Sequence, residues 1–569
     1  MKILTCAVIW ISVAAVAANP FALDKGDVVR PIVTNHGMVV TSEPLATQIG
    51  VNVLGNGGNA VDAAVTVGFV LAVIRPRAGN IGGGGFMLVK PADRNGVTVI
   101  DYRETAPAAA HRDMFLDADG NADSQASRFT HRSAGVPGTV AGLAMALERA
   151  GTISLAEALT PAIALAADGF PASARFVDSI AAYAERLHTW PATEKVFFNA
   201  DGTVCKPGEI FVQKDLAETL QAIADKGTDA FYRGQTAALI EAEMKRHGGV
   251  MTAADLAAYA PRIREPVHGT YRGYDIFSMS PPSSGGVHIV QILNILEGYD
   301  LAASGHNSAR TIHLLAEAMK RAYADRSKYL GDPDFVDVPV AGLTTKAYAQ
   351  TLRNGIDEGY ATPSRRVAPG TPPGWESGET THFSVVDRHG NAVSNTYTIN
   401  FGFGSGIVVD GAGFILNNEM DDFSAKPGVP NAYGLIGGTA NAVAANKRML
   451  SSMSPTIVLK DNKPFLITGS PGGSRIITTT LQVIVNVIDF DMNIQAAVNA
   501  PRVHHQWLPD AIRLEPGISP DTIRLLGAMG HTIEIKSVMG AANSILVDID
   551  NTTFHGAGDP RRSGIANGP

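Results

Sequence analysis

At Glu379-Thr380-Thr381-His382 a run of loop-forming residues meets a run of strand-forming ones. The loop run, Ala368 to Gly378, reads Ala-Pro-Gly-Thr-Pro-Pro-Gly-Trp-Glu-Ser-Gly and suits neither helix nor central strand. Were the chain cut between Glu379 and Thr380, Thr380 would be a new N-terminus at a strand start. Its hydroxyl would be a nucleophile, and its own α-amine, titrating near about 7.7–8.0, would be the base. No separate His or Asp would be needed. The same residues fit an exposed linker running into a surface hairpin with two strand-favouring threonines, and on the local pattern alone this is the commoner case.

Other groups with chemical potential are scattered. Gly472-Gly473 stands before an apolar helix, Ile476 to Ile488, where backbone N–H groups can meet negative charge. That suits an oxyanion hole or a nucleotide phosphate, for which the Walker Lys is missing. Ser451-Ser452 has no Gly-x-Ser-x-Gly elbow around it. The acids within Asn417 to Phe423 fit a metal loop or a solvated turn, without EF-hand spacing. Arg103 follows a strand, Val97 to Asp101, where an Arg is most often a surface or ion-pair residue. His504-His505 has no third ligand at a plausible spacing, which points to a structural role and no metal. Gly82 to Gly85 lacks the strand-loop-helix order of a phosphate loop and reads as close backbone packing.

Several elements must position these groups. His382 to Arg388 and Ala392 to Ile399 form a hairpin turned at His389-Gly390-Asn391. Thr456 to Lys460 and Pro464 to Thr468 form a second around Asp461-Asn462-Lys463, and Gly413 to Leu416 reads as a short strand. Apolar residues at helical spacing predict helices over Thr139 to Arg149, Leu155 to Ala167, Asp215 to Lys226, Thr236 to Arg246 and Ser308 to Tyr329. Glu43 to Leu54 and Asn59 to Ile74 form a pair, the second apolar nearly all round and so buried. Pro281-Pro282-Ser283-Ser284-Gly285-Gly286 opens a further helix, with the hydroxyls read as caps. Lys426 to Gly438 is a Gly/Pro-rich loop.

The 569 residues are 45% hydrophobic and 18% charged, a globular composition, and the net charge of -8 comes without like-charge blocks. This gives no sign of a nucleic-acid partner or basic membrane face. Lys2 followed by an apolar run to Ala15-Val16-Ala17-Ala18 is a signal-peptide pattern, shorter than the roughly 20 residues a spanning helix needs. Cleavage would leave no membrane anchor and remove Cys6, so that Cys205 stands alone without a disulfide partner, which suits a bacterial periplasmic or secreted protein.

Thr380-Thr381-His382-Phe383-Ser384-Val385-Val386-Asp387, Gly390-Asn391-Ala392-Val393 and Thr396-Tyr397-Thr398-Ile399-Asn400 closely resemble the start of the small subunit of γ-glutamyltranspeptidases, N-terminal-nucleophile hydrolases that cleave their own precursor. The resemblance runs from about Gly37 to Pro560 and includes Ala-Gly-Asn-Ile-Gly-Gly-Gly-Gly-Phe at residues 78–86. It implies an α+β, four-layer αββα fold built jointly by a large subunit, residues 19–379, and a small one, 380–569, after a signal peptide at 1–18. It further implies Thr380 as nucleophile, Thr398 as hydrogen-bond partner of its hydroxyl, and the Gly472 and Gly473 N–H groups as the oxyanion hole. Arg103, with Ser451 and Ser452, would grip a substrate α-carboxylate. Asp422, helped by Glu419 and Asn400, would hold the α-amine, and Tyr433 would cover the pocket from a lid spanning Lys426 to Gly438. Substrates would be glutathione and other γ-glutamyl compounds, acceptors water, amino acids or peptides, with no cofactor. The chain departs from the family at Arg75, commonly His, and Met449, usually Pro, a change expected to loosen the approach to the Ser pair. Two alternatives stand beside this reading: a related acylase acting on β-lactam side chains or poly-γ-glutamate, and a secreted binding protein that never matures.

Overall fold

The structure, a computed structural model, describes residues 29–370, 381–426, 428–429 and 434–569. Glu379, Thr380, Tyr433 and the leader at 1–18 lie outside the described residues, as do residues 371–378 of the linker.

Two seven-stranded sheets, antiparallel throughout, form the centre. The first runs Ile565–Asn567, Gly37–Thr41, Thr381–Asp387, Ala392–Thr398, Gly84–Lys90, Thr98–Tyr102, Arg262–Arg264. The second runs Ile32–Thr34, Thr553–Ala557, Ser544–Asp548, Lys463–Thr468, Thr456–Lys460, Tyr274–Ser278, Val267–Tyr271. Each sheet mixes strands from before and after residue 380. Apolar side chains alternate along the strands, so each sheet has two faces to bury. Between the sheets sit Val40, Phe86, Leu88 and Val386 of the first against Ile457, Leu459, Ile467 and Ile545 of the second. The outer face of the first packs on Pro44–Gly55, Ala60–Ile74 and Thr139–Ala150 through Val39, Met87, Val385 and Val393. The outer face of the second packs on Gly285–Leu296, Ala309–Tyr329 and Arg475–Ile488 through Ile276, Val458 and Leu466. This is the four-layer αββα sandwich.

Local chemistry explains the boundaries. Ala60–Ile74 is buried at every position, as its all-round apolarity requires, and a reciprocal Asn59–Asp62 capping box starts it. The second hairpin turns on Asp461 and Asn462, both at positive φ, as a two-residue turn demands. Gly413 to Leu416 is not a strand: it makes only an isolated bridge, Val408 to Ile415, since Gly411 and Gly413, both at φ +75°, bend the chain out of extension.

The Gly82–Gly85 run is a packing device. A Cβ on Gly83 would lie 1.9 Å from the Thr398 carbonyl oxygen, and one on Gly82 2.3 Å from that of Ile415. Only bare backbone lets this strand approach Thr398 so closely.

Candidate active site

Arg103 immediately follows the strand Thr98–Tyr102 and is fully buried. Its Nη1 donates to Glu419 Oε2 and its Nη2 to Asp422 Oδ2, both at 2.6 Å. Nη1 also reaches Glu104 Oε2 at 3.4 Å, and Nε donates to the Met449 carbonyl at 3.1 Å. The guanidinium fork thus ties its own segment, which also carries Glu104, to the turn carrying Glu419 and Asp422 and to the loop leading to Ser451-Ser452.

One cation faces three carboxylates here. Burial pushes the Glu104 carboxyl up to about 7 and the Asp422 carboxyl up to about 6, with Arg103 opposing both shifts. Burial also raises Glu419 well above the usual carboxylate range. Burial would lower the Arg103 guanidinium, but Glu419, Glu104 and Asp422 outweigh it and hold the charge firmly. The cage holds more carboxyls than its one guanidinium can keep ionised, so a second cation would favour their charged forms.

The acids sit on a single 3-10 turn, Glu419–Asp422. Asn417 fixes the approach to it: its Nδ2 donates to the Gly82 and Gly135 carbonyls, and its Oδ1 accepts from the Gly135 and Glu419 N–H groups. Beside it a cavity of about 120 Å³ is lined by Arg128, Arg326, Asp421 and Asp422, with Lys426, Leu435, Ile436 and Gly437 from the expected lid loop.

Ser451 and Ser452 are buried. The Ser451 Oγ accepts from the Met453 N–H at 3.2 Å, and Arg326 Nη2 donates to Ser452 Oγ at 3.4 Å. At the start of the helix Gly285–Leu296 the N-cap residue, Ser284, makes no side-chain cap bond, whereas Ser283 Oγ accepts from the first helical N–H, that of Gly285, at 3.2 Å. Both hydroxyls also donate to the Ser451 carbonyl at 3.1 Å, Ser283 sharing its proton with the nearer Met453 carbonyl at 2.6 Å. Ser284 N–H adds a further bond to the Ser451 carbonyl, and Ser451 N–H donates to Pro282. The motif is therefore a brace for the Ser pair: each hydroxyl donates its proton across the gap to a carbonyl, and Ser283 keeps a lone pair for the helix end.

Met449 packs into the core beside the site. Its side chain is fully buried among Met114, Phe115, Met420 and Phe423, and its carbonyl is an Arg103 acceptor. Arg75 pairs with Glu43 and donates to the Ser42 carbonyl.

Thr398 ends its strand at the point where the partner strand starts: Thr381 pairs with Tyr397, one residue earlier. Its Oγ1 accepts from the Asn400 N–H at 2.7 Å, and Asn400, at φ +68°, turns its amide onto the Asn418 carbonyl at 3.0 Å. Asn400 therefore joins the end of the hairpin to the acid turn. Gly472 and Gly473 lie at φ +135° and +70°, just before the helix Arg475–Ile488. Among the described residues neither N–H has a hydrogen-bond partner. His504 bonds Thr478 and Gln506, and burial lowers it to about 3, so this imidazole is a neutral core group.

Sequence reasoning overlooked Glu104, Asn417 and Arg326. Glu104 is the next residue after Arg103, but adjacent residues in an extended chain ordinarily face apart. Arg326 lies on a helix whose polar residues read as a solvated face.

The γ-glutamyltranspeptidase family model matches residues 46–568. The glutathione hydrolase proenzyme of Escherichia coli (strain K12) is 54% identical over 535 residues, covering 94% of this chain and 92% of that protein. The γ-glutamyltranspeptidase of Helicobacter pylori superposes with a TM-score of 0.58 at 48% identity, over 59% of this chain and 96% of that one. A cephalosporin acylase from Bacillus halodurans superposes with a TM-score of 0.84 at 29% identity, over 97% and 98%. With its interleaved sheets, buried arginine cage and paired glycine N–H groups, the chain belongs to the γ-glutamyltranspeptidase family.

Proposed function

We propose that the chain is a self-processing γ-glutamyltransferase and glutathione hydrolase. In the first phase Thr380 Oγ attacks the Glu379 carbonyl, the peptide bond becomes an ester, and water hydrolyses it to leave two chains with Thr380 leading the smaller. In the second phase Thr380 Oγ attacks the γ-amide of a donor such as glutathione, while the freed α-amine accepts the hydroxyl proton and passes it to the leaving amine. The Gly472 and Gly473 N–H groups stabilise the oxyanion, and Thr398 orients the nucleophile. The γ-glutamyl ester then passes to water or to an amino-acid or peptide amine.

The observation that carries this reading is the Arg103 cage. Its excess of buried carboxylate over guanidinium suits a substrate ammonium, held by Asp422, Glu419 and Asn400. Arg103, Ser451 and Ser452 supply donors for the α-carboxylate beside it, with Tyr433 covering the head group from the lid. No helix among the described residues is long and apolar enough to cross a membrane, and we assign the run at 1–18 to export into the periplasm or medium.

Intact mass of the purified protein tests the first phase: two chains are expected, the smaller starting at Thr380, and Thr380→Ala should remain one inactive chain. Cleavage at this bond in that variant, or retained activity, refutes the nucleophile assignment. The likeness to a cephalosporin acylase makes the second assay a comparison of glutaryl and γ-glutamyl anilides, where the cage requires the γ-glutamyl compound to be faster by orders of magnitude.

A further inference from the structure

A second cavity, of about 400 Å³, opens beside the oxyanion glycines and shares no lining residue with the one at Asp422. Gly472 and Asn400 line it, and so do four arginines, Arg77, Arg186, Arg475 and Arg562, with no carboxylate among its lining residues. Among the described residues Arg77, Arg186 and Arg475 make no ion pair. Glu43, the acid that acts on Arg77, is paired with Arg75.

Arg77 and Arg186 are held in place without an ion pair among the described residues. Arg186 lies over the rings of Phe129 and Tyr183 at 5.0 and 4.9 Å and donates to the Gly402 carbonyl, while its Nε is buried with no partner. Arg77 lies over Tyr183 at 5.9 Å. Burial lowers the proton affinity of both, and for Arg77 the nearby Arg75 adds to it. Like charges gathered at a half-buried wall without counter-charges repel one another, which a bound anion relieves. Arginine forks suit carboxylates in particular.

We propose that this arginine-lined basin is the leaving-group and acceptor subsite, and that it selects γ-glutamyl compounds whose amine side carries a carboxylate. The inference rests on the γ-glutamyl reading above. The Asp422 cavity takes the amino-acid head. The bond to be broken lies at the Gly472 and Gly473 N–H groups, and what leaves, or what arrives as acceptor, extends into the basin. A peptide with a free C-terminal carboxylate meets the arginines there. A neutral amide or an anilide meets the same wall with nothing to pair.

The test compares kcat/KM for glutathione with that for its C-terminal glycinamide analogue, with γ-glutamyl-p-nitroanilide reporting folding and processing in every variant. The parent protein should prefer the free acid by about tenfold, the worth of one charge-assisted contact, and the preference should shrink as salt rises from 0.05 to 0.5 M. In Arg77→Gln and in Arg475→Gln the acid-to-amide ratio should fall below about three, and Arg77→Lys should restore part of it. A parent ratio near one, or a ratio that survives both substitutions while the anilide is still turned over, overturns the inference alone. A parent protein that leaves the anilide untouched refutes the γ-glutamyl reading and takes this inference with it.

Discussion

Replacing Arg103 by Met removes the one cation among Glu104, Glu419 and Asp422 while keeping an unbranched side chain of similar length. The parent contacts are two charged bonds of 2.6 Å, a third at 3.4 Å and bonds to the Met449 and Leu450 carbonyls, all buried. Breaking one side of a buried ion pair costs about 3–5 kcal/mol, and the pH dependence identifies its origin. Arg103 lowers the affinity of Glu104 and Asp422 for protons, yet they still titrate at about 7 and about 6 in the folded parent, against about 4.3 and 3.9 unfolded. A folded carboxyl raised above its unfolded value loses stability as pH rises from the unfolded toward the folded value. Without Arg103 these groups hold their protons to higher pH, so the window of loss extends upward. Each carboxyl that ionises in the parent but not in the variant adds about 1.4 kcal/mol of difference per pH unit. The variant's deficit should therefore be smallest near pH 5 and larger by about 4 kcal/mol at pH 8, read from urea unfolding of both proteins at each pH. An equal deficit at both pH values, or a deficit under about 1 kcal/mol at pH 8, would refute the account of the cage.

Gly83→Ala places a methyl 1.9 Å from the Thr398 carbonyl oxygen; with backbone on the other side it should destabilise by more than about 3 kcal/mol, seen as lost soluble expression or as a single unprocessed band. Gly472→Ala forces an alanine to φ +135° with its Cβ 3.1 Å from Gly540 Cα, and should lower kcat on γ-glutamyl-p-nitroanilide by about 10²–10³ with little change in KM; an unchanged kcat would remove Gly472 from the oxyanion hole. The pair Ser283→Ala and Ser284→Ala removes the side-chain bonds bracing Ser451 and should raise KM by roughly tenfold, at about 1 kcal/mol per bond with partial compensation, whereas an effect confined to thermal stability would make the brace purely structural.

What the sequence disclosed, and what it withheld, follows from the range of the interactions. Helices such as Leu155–Ala167 and Ala309–Tyr329 and both hairpins were legible because their periodicity and turn residues act within a few positions. The nature of Gly82–Gly85 was legible too, since a missing Cβ has few uses. The stacking of two sheets was not, because pairings such as Val39 with Val385 join residues hundreds of positions apart; that came from family resemblance. The second role of the Ser283-Ser284 hydroxyls was hidden because a cap and a cross-loop bond demand the same residue types: Ser283 makes both, and only the position of Ser451 reveals the brace. Arg326 stayed hidden for the same reason: nothing local distinguishes a helix arginine that faces solvent from one that faces Ser452.

The interleaving of the two sheets bears on what a cut ahead of Thr380 could accomplish. Thr381–Asp387 lies between Gly37–Thr41 and Ala392–Thr398, and Thr456–Lys460 lies against Tyr274–Ser278. Strands from either side of the cut are neighbours in both sheets, so the halves could part only by tearing both ladders along their length. Such a break would not liberate a product or dissolve an inhibitor. It would edit the covalent thread and leave the fabric woven, exposing one amine while every strand kept its neighbour. Maturation of this kind spends a peptide bond on a functional group, and the fold itself serves as the clasp that keeps the two pieces one molecule.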